Sequence, residues 1–154
     1  MKIKRKVTLD KNQPKNAMIV VAHADDAEYG CSGTVAMLTK KGIDVTYVIC
    51  TDGSKGSSDP DMTSAKLIEL RKEEQLDAAK VLGLKDVVFL NYPDSYLEPS
   101  LKLRHDIAQE IRSYKPNIVI TTYPSRNLST HHGIGGHPDH IAAGEATLSA
   151  VFPT

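Results

Sequence analysis

The chain has 154 residues, of which 40% are hydrophobic and 25% charged, and its 19 basic and 19 acidic side chains give a formal net charge of zero. This balance disfavours a nucleic-acid-binding protein, in which a basic patch is expected, and the length is typical of a single globular domain over residues 1–154. The first apolar run after the basic start, about six residues long, is too short for a secretory signal or a membrane span. Because Cys31 and Cys50 have no disulfide-framework spacing, a cytoplasmic setting is the expectation.

Strand-like and helix-like patterns alternate along the chain. Apolar or β-branched runs predict strands at 17–22, 45–50, 86–90 and 117–122. Helical spacing predicts helices at 28–41, 64–82, 101–114 and 137–151. The second helix is expected to turn one apolar stripe inward, made of Leu67, Leu70, Leu76, Ala79 and Leu82. The alternation predicts right-handed βαβ units and a Rossmann-like three-layer αβα sandwich with a mostly parallel sheet.

Two clusters of potential metal ligands lie far apart in the sequence. His23, Asp25 and Asp26 occupy the turn after the first predicted strand, at the sheet edge where ligands bind in open α/β folds. The second cluster, His137-Pro138-Asp139-His140, opens the last predicted helix and places its two imidazoles on one helix face. Two imidazoles and one carboxylate leave a coordination position for water, which is the typical arrangement of a catalytic zinc site. We therefore expect His23, Asp26 and His140 to bind one divalent ion, with zinc favoured and Fe²⁺ also compatible.

The neighbouring groups would then serve the hydrolysis of an amide. Zinc lowers the pKa of its water to about 7 and polarises the carbonyl, so a base and an acid complete the chemistry. Asp25 is the candidate base, although a carboxylate there could instead cap the first helix. His137 is the candidate acid and oxyanion donor. Asp139 is a candidate for holding either His137 or a ligand imidazole in the correct tautomer.

These motifs resemble those of the PIG-L or LmbE-like zinc N-deacetylases. Ala22-His23-Ala24-Asp25-Asp26 is similar to the family's Ala-His-Pro-Asp-Asp, with Ala24 in place of proline, and His137–His140 matches its His-Pro-Asp-His. The resemblance implies the same ligands, base and His137 role, and an N-acetylglucosamine-type sugar conjugate as substrate. It also implies that Arg71 faces the bound substrate, whereas simple pairing of Arg71 with Glu74 at i+3 is the alternative. Because family members continue past the His-Pro-Asp-His helix, the chain is expected to lack the family's C-terminal strands.

The segment after the fourth predicted strand offers further candidates for the pocket. Tyr123 and Arg126 are candidates for the pocket rim, whereas His131 and His132 are expected to be surface or rim residues rather than ligands.

Two other functions compete with the hydrolase interpretation. One is a Rossmann-type nucleotide-binding module. It is disfavoured because no Gly-x-Gly-x-x-Gly follows the first strand and carboxylates there would repel a pyrophosphate. The other is a non-catalytic metal-binding remnant. The sequence leaves open whether the protein forms a homo-oligomer.

Overall fold

A computed structural model describes residues 14–125 and 136–152 of the chain. The strands are β1 (Asn16–Val21), β2 (Asp44–Thr51), β3 (Asp86–Tyr92) and β4 (Ile118–Thr121). The helices are α1 (Asp26–Lys40), α2 (Ser64–Leu82), α3 (Leu101–Tyr114) and α4 (Pro138–Val151). Every predicted element is present, with ends that differ by at most two residues from the sequence-based bounds.

All four strands run parallel in the order β3-β2-β1-β4. The chain therefore builds outward from β1 through β2 to β3, and then crosses back to place β4 on the other side of β1. This reversal makes the gap between the carboxyl ends of β1 and β4 the topological switch point of the sheet, where open α/β folds bind ligands.

Two hydrophobic clusters cover the two faces of the sheet. Alternate β1 residues supply both: Met18 and Val20 pack towards α3 and α4, whereas Ile19 and Val21 pack towards α1. Burial on both faces explains why β1 and β2 are continuous apolar runs rather than alternating ones. The arrangement confirms the predicted three-layer αβα architecture.

The apolar stripe predicted for α2 is partly wrong. Leu70 and Leu76 are 40% and 38% exposed, whereas the helix buries Leu67, Gln75 and Ala79. The buried face of α2 therefore includes Gln75 and leaves Leu70 and Leu76 partly exposed, which the leucine pattern does not predict. Gln75 is tolerated there because both ends of its amide are hydrogen-bonded, the oxygen to the backbone N–H of Asp25 and the nitrogen to Glu28.

Helix α4 lies close to Thr122, the residue that follows β4, and Gly144 makes this approach feasible. A Cβ atom at Gly144 would overlap the carbonyl oxygen of Thr122, so no side chain fits at this position. One turn earlier, the Thr122 hydroxyl donates to the carbonyl of His140 at 2.6 Å. These two contacts hold the first turn of α4 against the edge of the sheet. No helix among the described residues has the length and apolar character needed to cross a membrane.

Candidate metal centre and active site

The structure brings the two sequence clusters together beside the switch point. The Nδ1 atom of His23 lies 3.2 Å from Nε2 of His140 and 3.5 Å from Oδ2 of Asp26. Nε2 of His140 in turn lies 3.1 Å from Oδ1 of Asp26. Residues from the β1–α1 turn and from the start of α4, 117 positions apart in the chain, thus point their polar atoms at one another.

These distances are comparable with those between ligands of one metal ion. Zinc–nitrogen bonds of roughly 2.0–2.1 Å at tetrahedral angles place neighbouring ligand atoms about 3.3 Å apart. The three pairs of atoms named above span 3.1–3.5 Å. His23, Asp26 and His140 therefore lie close enough together to be candidate ligands of one divalent ion, with His23 facing one oxygen of Asp26 and His140 facing the other. His23, His137 and His140 form a second set of potential ligand atoms within 4.8 Å of one another.

The other side of the His23 ring faces two carboxylates. Its Nε2 atom lies 3.1 Å from Oδ2 of Asp139 and 3.2 Å from Oδ1 of Asp94. In the neutral ring, Nε2–H donates to these acceptors and leaves the lone pair of Nδ1 on the side of Asp26 and His140. Of the two alternatives for Asp139, the structure shows the contact with the imidazole of His23.

Asp139 is fully buried and also holds a loop in place. Its carboxylate accepts the backbone N–H groups of Ser95 at 2.8 Å and Leu97 at 3.2 Å. The backbone N–H of Asp139 itself donates to Nδ1 of His137 at 3.2 Å, a capping contact at the start of α4. Because Nδ1 of His137 is an acceptor, the ring proton of its neutral form is on Nε2.

The electrostatics of the cluster favour a positive charge at His23. Burial by itself would lower the pKa of His23, but hydrogen bonding and charge from Asp26, together with Asp94 and Asp139, raise it to about 9. Burial would likewise raise the pKa of Asp26, yet hydrogen bonds from His140 and His23 hold it well below its usual range. A pocket in which three carboxylates surround one imidazole attracts a cation, either a proton or a metal ion.

His137 is in a different electrostatic environment. Burial disfavours its imidazolium form, and the nearby charge of His23 adds to this effect, so that the pKa of His137 is lowered. Its ring lies edge-on to that of His23, with centroids 4.9 Å apart. His137 is therefore predominantly a neutral hydrogen-bond donor at neutral pH.

Asp25 lies between two cavities, and residues of α2 contact it. Its carboxylate, 65% exposed, accepts a hydrogen bond from Nη1 of Arg71 at 3.0 Å. Asp25 occupies the N-cap position of α1, yet its side chain makes no capping hydrogen bond, and this argues against the capping alternative. Arg71 also approaches Glu74, but at 3.8 Å, so its nearer partner is Asp25 rather than the i+3 glutamate.

The cavities on the two sides of Asp25 differ in character. One of about 660 Å³ lies along β1 and β4 beside Asp26 and His140, with the exposed side chain of Tyr123 at its rim. The other, of about 220 Å³, is lined mainly by charged and polar residues, among them His23, Lys55, Arg71, Asp94 and His137. Arg126, His131 and His132 lie outside the described residues.

Two residues of this region were missed by sequence analysis. Asp94 is one of several aspartates in the edge loops, and nothing in its spacing separates it from Asp59 or Asp61. Gln75 lies in a helical pattern in which a glutamine is expected at the surface, yet the residue is only 2% exposed. The one signal that could have identified Asp94 is its position just after the third predicted strand, at the carboxyl edge of the sheet where functional loops lie.

Comparison with known proteins assigns the chain to a family. Residues 18–151 match the family model described as PIG-L, GlcNAc-PI de-N-acetylase. The chain belongs to the PIG-L family. It is 35% identical over 140 residues to a diacetylchitobiose deacetylase of Thermococcus kodakarensis, covering 91% of this chain and 50% of that protein. It is also 34% identical to a probable N-acetyl-alpha-D-glucosaminyl L-malate deacetylase 2 of Bacillus subtilis, covering 90% of this chain and 61% of that one.

Solved structures show the same fold. The N,N'-diacetylchitobiose deacetylase from Pyrococcus horikoshii superposes with a TM-score of 0.83 at 30% identity, over 90% of this chain and 49% of that one. A 4-carboxy-2-hydroxymuconate hydratase from Pseudomonas putida superposes with a TM-score of 0.74 at 25% identity, over 88% of this chain and 55% of that chain. The chain thus spans about half the length of the relatives it matches, and its fold is shared with an enzyme of another reaction class.

Proposed function

We propose that the protein is a metal-dependent hydrolase that removes the N-acetyl group from an N-acetylglucosamine-type sugar conjugate. The observation that carries this proposal is the convergence of His23, Asp26 and His140 within 3.5 Å of one another, next to Asp25 and His137. The relatives named as deacetylases of diacetylchitobiose and of N-acetylglucosaminyl malate support both the reaction and the substrate class.

The proposed metal ligands are His23 through Nδ1, Asp26, and His140 through Nε2. A divalent ion such as Zn²⁺ would supply Lewis acidity there, polarising the amide carbonyl and making water acidic enough to be deprotonated near neutral pH. Asp139 and Asp94 hold the His23 ring in the tautomer that binds a cation. The cluster thus provides both the ligands and the groups that orient them.

Asp25 is the proposed general base. Asp25 lines both cavities and Arg71 holds one oxygen of its carboxylate, so the other oxygen is proposed to take a proton from the attacking water. The same carboxyl group can then return that proton to the departing amine. Arg71 is therefore proposed to act through Asp25 as well as to border the substrate pocket.

His137 is the proposed oxyanion stabiliser. Its neutral ring accepts from Asp139 N–H at Nδ1 and so carries a proton at Nε2, which can donate to the carbonyl oxygen as negative charge develops. A neutral imidazole is a poor acid, so we assign proton delivery to Asp25 rather than to His137. Tyr123 is proposed to border the substrate at the rim of the larger cavity.

The test is release of acetate. Purified protein, loaded with Zn²⁺ and in parallel treated with a chelator, would be incubated with N,N'-diacetylchitobiose and with N-acetylglucosaminyl malate. We expect equimolar acetate and free amine that depend on the metal. Metal binding without acetate from either substrate would favour the binding-remnant alternative. If an unsaturated carboxylate offered in a parallel incubation were hydrated while neither amide was cleaved, the protein would be grouped with its hydratase structural relative.

A further inference from the structure

Asp25 is one of four described non-glycine residues with positive φ, at 76°. Left-handed backbone is unfavourable for residues with a side chain, although aspartate tolerates it better than most, and it persists where surrounding contacts enforce it. This residue lies immediately before α1, so its backbone direction decides where its carboxylate lies. The contacts that enforce the conformation therefore bear directly on catalysis.

Helix α2 contacts Asp25 at two points. Arg71 and Gln75 are four residues apart and lie on one face of the helix. Arg71 donates to the carboxylate at 3.0 Å, and Oε1 of Gln75 accepts the backbone N–H of Asp25 at 3.2 Å. One helix face thus contacts both the side chain and the main chain of the proposed base.

The orientation of the Gln75 amide is set by Glu28. Nε2 of Gln75 donates to Oε1 of Glu28 at 2.9 Å. Because a carboxylate can only accept, the NH₂ end of the amide must face Glu28, and the oxygen end must therefore face Asp25. The buried glutamine bridges the first turn of α1 and the residue that precedes it.

We propose that Gln75 is a positioning residue, which holds the backbone of Asp25 so that its carboxylate faces the reacting water. This inference rests on the proposed role of Asp25. Simple packing between α1 and α2 does not require an amide, since Leu67 and Ala79 pack from the same helix through apolar side chains. Only a group with one acceptor and one donor end satisfies both Asp25 and Glu28.

The decisive experiment exchanges donor and acceptor. In Gln75→Glu the introduced carboxylate faces that of Glu28 and is repelled from its place, so we expect kcat to fall about 10- to 100-fold, with KM and metal content within twofold of wild type. The double variant Gln75→Glu with Glu28→Gln restores one acceptor towards Asp25 and one donor between the pair. We expect it to recover kcat to within about threefold of wild type.

Two further variants separate positioning from stability. Gln75→Met keeps the volume but loses both hydrogen bonds, and we expect a fall in kcat of about tenfold or more. Leu67→Ala destabilises the same helix by cavity formation, and well below its melting temperature it should keep wild-type kcat. Unchanged kcat in Gln75→Met, or a folded double variant that stays as slow as Gln75→Glu, would overturn the proposal.

A readout that is independent of turnover distinguishes this proposal from the proposed function. Hydrogen exchange of the Asp25 amide should be at least about tenfold faster in Gln75→Met than in wild type, and unchanged in Leu67→Ala. If wild-type protein releases no acetate but the amide is protected by Gln75, the deacetylase proposal fails while the contact stands. If exchange does not change in Gln75→Met, the positioning role itself is refuted.

Discussion

At the scale of single residues, His23 decides the chemistry of the site because its two ring nitrogens face different sets of partners. Nδ1 faces Asp26 and His140, whereas Nε2 faces Asp94 and Asp139. An imidazole fixed from one side by carboxylates offers its other nitrogen in a defined direction. Nδ1 is therefore a candidate metal ligand once the ring has lost the proton that the carboxylates favour.

Replacement of Asp25 by asparagine tests the base at this scale. Asparagine also tolerates left-handed backbone, so Asp25→Asn should keep the turn and lose only the basic oxygen. We expect acetate release to fall by about 10²- to 10⁴-fold, with the metal content unchanged as measured by atomic emission. Asp61→Asn, at an exposed loop carboxylate, is the matched control and should behave as wild type. Equal rates for the two variants would rule out Asp25 as the base.

At the scale of secondary-structure elements, the site depends on how closely α4 approaches β4. The first turn of α4 carries His137, Asp139 and His140, and the Thr122 hydroxyl ties it to the strand end. The backbone contact at Gly144 leaves no room for a side chain. The contact at Gly144, one turn beyond His140, therefore helps to set the position of His137, Asp139 and His140.

A single methyl group at Gly144 tests this dependence. Gly144→Ala would force α4 away from the Thr122 carbonyl, so we expect about 1–3 kcal/mol of destabilisation by chemical denaturation and weaker metal binding. Gly33→Ala on α1 is the control, because a Cβ there meets no atom within 4 Å. It should be neutral or slightly stabilising, since alanine favours helix more than glycine does. Equal effects of the two changes would contradict this account of α4.

Asp106 of α3, which accepts hydrogen bonds from Tyr92 of β3 and Lys102 of α3, is expected to make the stability of the fold depend on pH. Hydrogen bonds from Lys102 and Tyr92 lower the pKa of Asp106 to about 2 from its ordinary 3.8. The unfolded chain therefore takes up this proton at higher pH than the folded one, so the contribution to stability is present above about pH 4 and is lost as pH falls towards 2. Asp106→Asn should lower the melting temperature slightly at pH 7, and the difference from wild type should shrink on acidification. A melting-temperature difference that stays constant on acidification would show that the ionised carboxylate of Asp106 does not stabilise the fold.

At the scale of the whole molecule, the reversal of strand order places the site. Because β4 returns to the far side of β1, the β1–α1 turn and the first turn of α4 meet at one edge of the sheet. A bound ion would tie these two distant segments together. Its binding free energy would then add to the stability of the folded state.

Thermal unfolding with and without metal measures this coupling. At 100 times its dissociation constant, Zn²⁺ should stabilise the wild type by about 2.7 kcal/mol, which corresponds to a melting temperature roughly 5–10 °C higher. His140→Ala should lose most of this shift. His105→Ala, at an exposed histidine of α3, should keep it. A shift that survives in His140→Ala would mean that the ion binds elsewhere.

Much of this protein is determined by the local sequence. The strands and helices follow from patterns that repeat over a few residues, and each of the two polar clusters is contiguous, so both could be read without knowledge of the fold. The parallel order of elements then places both clusters at the carboxyl edge. His23, Asp26 and His140 were predicted together for these reasons.

Only the tertiary structure decided which other polar groups join them. Asp94 reaches His23 because the loop that follows β3 is held by the buried Asp139, and the interior position of Gln75 depends on Asp25 and Glu28 from another element. The exposure of Leu70 and Leu76 has the same origin, since the rotation of α2 is set by what it packs against. Local patterns specify elements, whereas the partner of a buried polar group is specified by long-range contacts that no short stretch of sequence contains.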